Sequence, residues 1–106
     1  MTPKLRTVLS ELRRELESLY GDRLVRLVLF GSQARGNADA DSDIDVLVVL
    51  KGPVHPSKEV HRVSPITAAI SLRHDVVISC VYVSAERYEA NRGPLLVNVQ
   101  AEGIPV

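Results

Sequence analysis

Two short aliphatic runs constrain what this chain can fold into. The first, Leu24–Phe30, stops at Gly31, and the second, Ile44–Leu50, is followed by Gly52. Both runs are rich in β-branched and aliphatic residues and are bounded by turn-forming residues, so each is predicted to be a strand. We therefore expect a fold that contains a β-sheet.

Helices are predicted before and after these strands. Thr2 and Pro3 are typical of an N-cap and a first helical residue, and aliphatic residues then recur at helical spacing as far as Gly21. Pro65 would break a longer helix, whereas Ser64 as N-cap and Pro65 as first residue would start one, which predicts a helix over 65–72. The other predicted elements are a strand over Asp75–Val83, a short helix from the Ser84 cap through Tyr88, and a helix over Leu95–Gln100.

Composition excludes several classes of function. The chain of 106 residues is predicted to be one domain, 1–106, and its 13 Lys+Arg balance 13 Asp+Glu, so it lacks the strong positive field of nucleic-acid-binding proteins. The single cysteine, Cys80, cannot form a disulfide within one chain. No apolar stretch approaches the roughly 20 residues that span a bilayer. We expect a cytoplasmic protein without a membrane or nucleic-acid partner.

The polar segment between the two strands holds the candidate chemistry. Gly31 and Gly36 have the spacing of a phosphate-binding P-loop, but Asn37 and Ala38 stand where that motif requires Lys and Ser or Thr. Alternating acidic residues suggest a calcium loop, yet the turn glycine and the final glutamate of that loop are missing. Neither motif is therefore predicted. The alternating residues are Asp39, Asp41, Asp43 and Asp45.

Asp43 and Asp45 fit a third possibility, a metal site for phosphoryl transfer. Side chains two residues apart on a strand point to the same face, so the two carboxylates should converge where the second strand begins. Carboxylates held close together repel each other unless a cation lies between them, and Mg²⁺ prefers a few carboxylate oxygens together with water and nucleotide phosphates. The pair therefore predicts a magnesium site.

The turn before this pair is suited to a polyphosphate. A Gly-Ser turn that leaves a buried strand for a helical turn presents backbone N–H groups and the Ser32 hydroxyl to an anion. Gly31 permits close approach of the backbone, and Gly36 is expected to reverse the chain toward Asp43. Arg35 has two open roles, since it could contact phosphate or hydrogen-bond the acidic 39–43 loop and fix its shape.

A resemblance to a known family covers nearly the whole chain. The sequence resembles the minimal nucleotidyltransferase family of the DNA polymerase β superfamily. The resemblance includes the end of the chain, where the family has a C-terminal strand that corresponds to the residues near Ile104. The resemblance implies an α/β (α+β) fold, in which a small mixed β-sheet is flanked by helices. The resemblance is based on two segments, Leu29-Phe30-Gly31-Ser32-Gln33-Ala34-Arg35-Gly36 and Ser42-Asp43-Ile44-Asp45-Val46.

The resemblance also implies a reaction and a role for each candidate residue. An acceptor hydroxyl would attack the α-phosphorus of ATP or another nucleoside triphosphate, and pyrophosphate would leave with the help of two Mg²⁺ ions. Asp75 would be the third carboxylate on a later strand and could assist removal of the acceptor proton, with His74 a candidate to orient it. The implied site is Asp43, Asp45 and Asp75 for metal binding and catalysis, and Gly31, Ser32, Arg35 and Gly36 for nucleotide binding.

The acceptor is expected on another protein, because this chain lacks the helical lobe of two-domain relatives. Minimal proteins of this family resemble the antitoxin of toxin–antitoxin pairs whose toxin is a HEPN-domain ribonuclease, and there AMP is transferred to a toxin tyrosine. Two alternatives stay open. One is a non-catalytic antitoxin that silences its toxin by binding, and the other is an enzyme that nucleotidylates a small molecule after oligomerisation.

Overall fold

A mixed four-stranded sheet lies between two groups of helices in the computed structural model, which describes residues 1–36, 42–90 and 93–106. Its strands are β1 (Leu24–Phe30), β2 (Ile44–Leu50), β3 (Ile78–Ser84) and β4 (Ile104–Pro105). The order is β3-β2-β1-β4, in which β1 is antiparallel to β2 and to β4, and β2 is parallel to β3. The helices are α1 (Pro3–Tyr20), α2 (Ser32–Arg35), α3 (Pro56–His74), α4 (Ala85–Ala90) and α5 (Pro94–Glu102).

The alternation of side chains along the strands divides the core into two layers. On one face of the sheet, residues such as Leu29, Val46 and Val48 are fully buried against the apolar sides of α1 and α3. On the other face, Val28 and Leu47 pack with residues of α5. This arrangement confirms the predicted fold class. None of the helices in the described ranges is long and apolar enough to cross a membrane.

Most of the predicted elements are confirmed, because their boundaries are set by local chemistry. The Thr2 side chain caps α1 by accepting a hydrogen bond from the Leu5 backbone N–H at 3.1 Å. Both predicted strands, β1 and β2, have the expected bounds. The Ser84 hydroxyl accepts from the Arg87 N–H at 3.1 Å, which begins α4 as expected. The C-terminal strand near Ile104 is also present.

The predicted helix over 65–72 is wrong, since α3 runs from Pro56 to His74 and contains Pro65 in its interior. Proline usually ends a helix because it lacks the N–H that would bond the carbonyl four residues earlier. Here both Pro65 and His61, which carries that carbonyl, are exposed, so water can bond the carbonyl. Burial of Val63 and Ile70 in the core stabilises the helix on both sides of the proline.

The third strand begins three residues later than predicted, at Ile78 instead of Asp75. Asp75 is the C-cap of α3, and its backbone is left-handed with φ 52° and ψ 54°. Its N–H donates to the carbonyl of Ser71, which closes the last turn of the helix. Aspartate tolerates this conformation better than most residues, so the local role of Asp75 is that of a helix terminator.

A buried carboxylate joins the end of α1 to α3. Glu59 is only 3% exposed, and it accepts hydrogen bonds from the Tyr20 hydroxyl at 2.7 Å and from Arg23 Nη1 at 3.2 Å. Arg62 lies 3.4 Å from the same carboxylate. Burial alone would raise the pKa of Glu59, but the hydrogen bonds from Tyr20 and Arg23 outweigh it and hold that pKa below the usual 4.5.

Replacement of Glu59 is expected to destabilise the fold. Glu59→Ala should lower the free energy of unfolding by about 3 kcal/mol, because it leaves Tyr20 and Arg23 without their buried partner. Tyr20→Phe should cost about 1 kcal/mol, since it removes one hydrogen bond. Urea denaturation at pH 7 measures both changes. A cost below about 0.5 kcal/mol for Glu59→Ala, the range typical of surface substitutions, would contradict the role of this network.

The same network predicts a pH dependence. Because the pKa of Glu59 is lower in the folded protein than its usual 4.5, its contribution to stability is present above pH 4.5. The contribution should be lost as the pH falls through the folded value. Urea denaturation between pH 3 and 7 should therefore show a smaller loss of stability on acidification for Glu59→Gln than for the wild type. Equal losses would exclude Glu59 as a source of the acid sensitivity.

Candidate active site

The turn that follows β1 starts with a conformation that favours glycine. Gly31 has φ 75° and ψ −158° and is the N-cap of α2. Its carbonyl accepts from the N–H groups of Ala34 and Arg35 at 3.1 and 3.2 Å, which forms the single turn of this helix. The first N–H groups of a helix have no acceptor within it, so the backbone around Ser32 offers donors to an anion.

Gly31 also lies directly against the Asp45 carboxylate. Phe30 pairs with Asp45 in the antiparallel β1–β2 register, which places the next residue of the chain beside that side chain. A Cβ atom at position 31 would collide with Asp45 Oδ2. A side chain at this position would therefore displace the Asp45 carboxylate, so glycine allows the turn and the carboxylate to lie in contact as well as allowing the backbone angles.

The two carboxylates lie where β2 begins. Asp43 is exposed and precedes the strand, Asp45 is partly buried within it, and Ile44 between them is buried against the other face. Burial, and then the negative charge of Asp43, raise the pKa of Asp45 above its usual 3.8, while the charge of Arg35 opposes this shift. The negative charge of Asp43 therefore acts on Asp45, and the convergence of the two carboxylates on one metal ion stays a prediction.

Gly36 ends α2, and Gln33 connects this helix with the residue before Asp43. Gly36 is left-handed, with φ 76° and ψ 11°, and ends α2 as the predicted point of reversal. The Gln33 side-chain amide donates to the Ser42 carbonyl at 3.1 Å, which fixes the residue before Asp43. The other role expected of Arg35 is a contact with the acidic 39–43 loop, of which residues 39–41 lie outside the described residues.

Arg35 has a partner that the sequence analysis did not identify. Its Nη1 atom lies 3.3 Å from Glu102 Oε2 at the end of α5, and both side chains are about half exposed. Because Arg35 also acts on the pKa of Asp45, this ion pair lies near the carboxylates. Glu102 is 67 residues away in the sequence, so no local pattern could have indicated the contact.

The structure does not bring Asp75 together with Asp43 and Asp45. Among the described residues, no three His, Cys, Asp or Glu side chains form a group that could hold a metal ion. His74, the candidate to orient Asp75, instead has its Nε2 atom 2.9 Å from Glu11 Oε1. The residue that pairs with Asp45 in the parallel register of β2 and β3 is Ser79.

Comparison with known proteins identifies the family. Residues 9–97 match the sequence model of a family described as Nucleotidyltransferase domain. The chain belongs to this nucleotidyltransferase family. The glycine-serine turn, Asp43 and Asp45 all lie inside the matched range.

Two archaeal relatives are named for a related activity. MJ0141 of Methanocaldococcus jannaschii, named as a protein adenylyltransferase, is 36% identical over 72 residues, which are 68% of this chain and 72% of that protein. MJ1305 of the same organism carries the same name and is 36% identical over 93 residues, which are 88% of this chain and 54% of that protein. The nucleotidyltransferase homology thus extends to proteins named for transfer to protein acceptors.

Solved structures share the fold over almost the whole chain. A structure named as a minimal nucleotidyltransferase superposes with a TM-score of 0.61 at 25% identity, over 96% of this chain and 95% of the other. A toxin–antitoxin structure with AMP-PNP gives a TM-score of 0.61 at 17% identity, over 98% of this chain and 72% of the other. The family resemblance and the fold class inferred from the sequence are both confirmed.

Alanine at position 31 is expected to lower the stability of the fold through its backbone angles and, in addition, to weaken nucleotide binding at the site. Gly52 is a matched control, because its φ of 77° is almost the same and a Cβ there meets nothing within 4 Å. Both Gly→Ala substitutions should cost about 1 to 3 kcal/mol from the positive φ of the backbone. Only Gly31→Ala should also weaken the binding of a fluorescent ATP analogue with Mg²⁺, by on the order of tenfold or more. Equal binding by the two variants would exclude a special role for the contact of Gly31 with Asp45.

Proposed function

We propose that this protein transfers AMP from ATP to a tyrosine hydroxyl of a partner HEPN ribonuclease toxin, and that it acts in the cytoplasm as the antitoxin of that toxin. The observation that carries this proposal is the contact of the Gly31 turn with the Asp45 carboxylate. That contact brings a polyphosphate-binding backbone and a metal-binding carboxylate to the same point. An AMP transfer requires both at the reacting phosphorus.

Asp43 and Asp45 are the residues that would hold Mg²⁺. Their mutual repulsion is the property that a divalent cation relieves, and one or two carboxylates completed by water and substrate phosphates are the usual protein donors for Mg²⁺. When bound, two such ions would activate the attacking hydroxyl and neutralise the leaving pyrophosphate. The donor set of this chain therefore fits the metal that the family implies.

The triphosphate would be bound by the backbone N–H groups at the start of α2, before Ala34, and by the Ser32 hydroxyl. Arg35 would supply a positive charge to the phosphates, and its ion pair with Glu102 holds it on the side of the site formed by α5. Gly31 and Gly36 give the turn the backbone angles that it requires. These groups bind and orient the nucleotide so that the α-phosphorus faces the acceptor.

The reaction replaces one phosphorus–oxygen bond with another. The acceptor hydroxyl oxygen would bond to the α-phosphorus of ATP, the bond between that phosphorus and the oxygen bridging to the β-phosphorus would break, and pyrophosphate would leave. The hydroxyl proton is lost to solvent or to a carboxylate of the site. The products are AMP-tyrosine and pyrophosphate, so the label of [α-³²P]ATP would stay on protein and that of [γ-³²P]ATP would not.

The proposed acceptor is supported by the relatives of this chain. The archaeal proteins similar to it are named as protein adenylyltransferases, and structural neighbours include toxin–antitoxin complexes, one of them with AMP-PNP. Asp43 is exposed, so an acceptor carried by a partner protein could approach the carboxylates from solvent.

Transfer of label from [α-³²P]ATP to the candidate toxin tests the proposal. Asp43→Asn and Asp45→Asn should each lower the rate by roughly 100-fold or more, because the metal's stabilisation of the transition state is worth several kcal/mol. Asp22→Asn is the control, since this carboxylate lies in the turn after α1. Its rate should match that of the wild type.

Other outcomes would select a different function. Toxin silenced without transfer of label, and equally by Asp45→Asn, would indicate a binding antitoxin. Label on a small molecule only, with the toxin unmodified, would indicate a small-molecule nucleotidyltransferase. Label from [γ-³²P]ATP on the toxin would indicate transfer of a phosphoryl group and would contradict AMP transfer.

A further inference from the structure

Ser79 occupies the position beside Asp45 on the neighbouring strand. In the parallel pairing of β2 with β3, Asp45 is opposite Ser79, and the next pair is Val46 with Cys80. Residues paired in this way point to the same face of a sheet. Val46 and Cys80 both pack on the face covered by α1 and α3, so Asp45 and Ser79 share the opposite face. Ser79 is exposed there.

Asp75 is not equivalent to Ser79 in position. It precedes Ser79 by four residues and lies in the left-handed cap of α3, before the strand begins. The segment that follows Asp75 hydrogen-bonds to β2 at Val77, whose carbonyl accepts from the Ile44 N–H at 2.9 Å. The described residues also contain no group of three potential ligands that includes Asp75. Among the side chains of β3, that of Ser79 is therefore the one placed beside Asp45.

We propose that Ser79 is the third metal-proximal side chain of this enzyme, so that the chain offers the metal two carboxylates and one neutral hydroxyl. This inference rests on the proposed function of Asp43 and Asp45. It assigns Asp75 a structural role as a helix cap. The ligand charge supplied by the protein is then −2, from Asp43 and Asp45, and the remaining negative charge near the metal comes from the nucleotide phosphates.

Because the protein supplies a ligand charge of only −2, it should bind a metal ion weakly when no nucleotide is present. The affinity of oxygen ligands for a divalent cation rises with the number of carboxylates, so Mg²⁺ should bind mainly together with ATP. A carboxylate at position 79 should supply the charge that the wild type lacks. The effect of Ser79→Asp on metal binding alone is therefore the most direct measure of the role of this position.

Binding of Mn²⁺, measured from the electron paramagnetic resonance signal of the free ion, tests the proposal without turnover. Ser79→Asp should tighten Mn²⁺ binding by on the order of tenfold, because it adds a charged ligand beside Asp45. Ser57→Asp is the matched control, because it makes the same change at an exposed position in the first turn of α3. The control and Asp75→Asn should each stay within about twofold of the wild type, whereas Asp45→Asn should lose binding.

A cysteine at position 79 gives an independent test of contact with the metal. A thiolate prefers a soft cation, so Ser79→Cys should bind Cd²⁺ with an ultraviolet thiolate-to-cadmium absorption. Substitution of Asp45 in the Ser79→Cys variant should weaken this absorption if the thiolate and the Asp45 carboxylate bind the same Cd²⁺ ion. Wild-type protein, which retains Cys80 on the other face, corrects for the native thiol.

Two results would overturn the proposal. One is a loss of Mn²⁺ binding in Asp75→Asn as large as that in Asp45→Asn, and the other is an unchanged affinity in Ser79→Asp whose folding is confirmed by circular dichroism. Failure of the proposed function would give a different pattern. The Mn²⁺ affinities would follow the expected order, but no label would be transferred from [α-³²P]ATP to any acceptor.

Discussion

The contact of Gly31 with Asp45 is the constraint on which the rest of the site depends. The antiparallel register of β1 and β2 brings the turn so close to the carboxylate that a Cβ atom at position 31 would collide with Asp45 Oδ2 in its present position. The backbone of the turn, suited to phosphate, therefore lies beside a carboxylate suited to metal. Asp43 and Asp45 would hold a divalent cation in the proposed function, and nucleotide phosphates bound at the turn would lie close enough to complete its oxygen ligands.

The alternation of side chains in β2 separates stability from chemistry. Ile44, Val46 and Val48 are buried against α1 and α3, and this layer holds most of the large apolar side chains of the core. Asp45 points to the opposite face, where α4 and α5 pack over Leu47 and leave the start of the strand accessible. Charged groups can therefore occupy one end of a buried strand without entering the main core, where an unpaired charge would be costly.

Two ion-pair arrangements fix elements that are distant in sequence. Glu59 connects the turn after α1 with α3, and its near-complete burial makes its hydrogen bonds from Tyr20 and Arg23 significant for stability. The pair of Arg35 and Glu102 is half exposed, so it contributes little to stability. Its significance is positional, since it connects α2 with the end of α5.

The sequence by itself determined the elements whose boundaries are local: the Thr2 cap of α1, both strands that enclose the polar segment, and the spacing of Asp43 and Asp45. Those signals depend on caps, alternation and turn residues within a few positions. Only the tertiary structure decided that α3 passes through Pro65, that Asp75 caps this helix, and that Ser79 lies beside Asp45. The physical reason is that burial of a helix on both sides can offset the local cost of a proline, and that the pairing of two strands depends on the packing of the whole sheet.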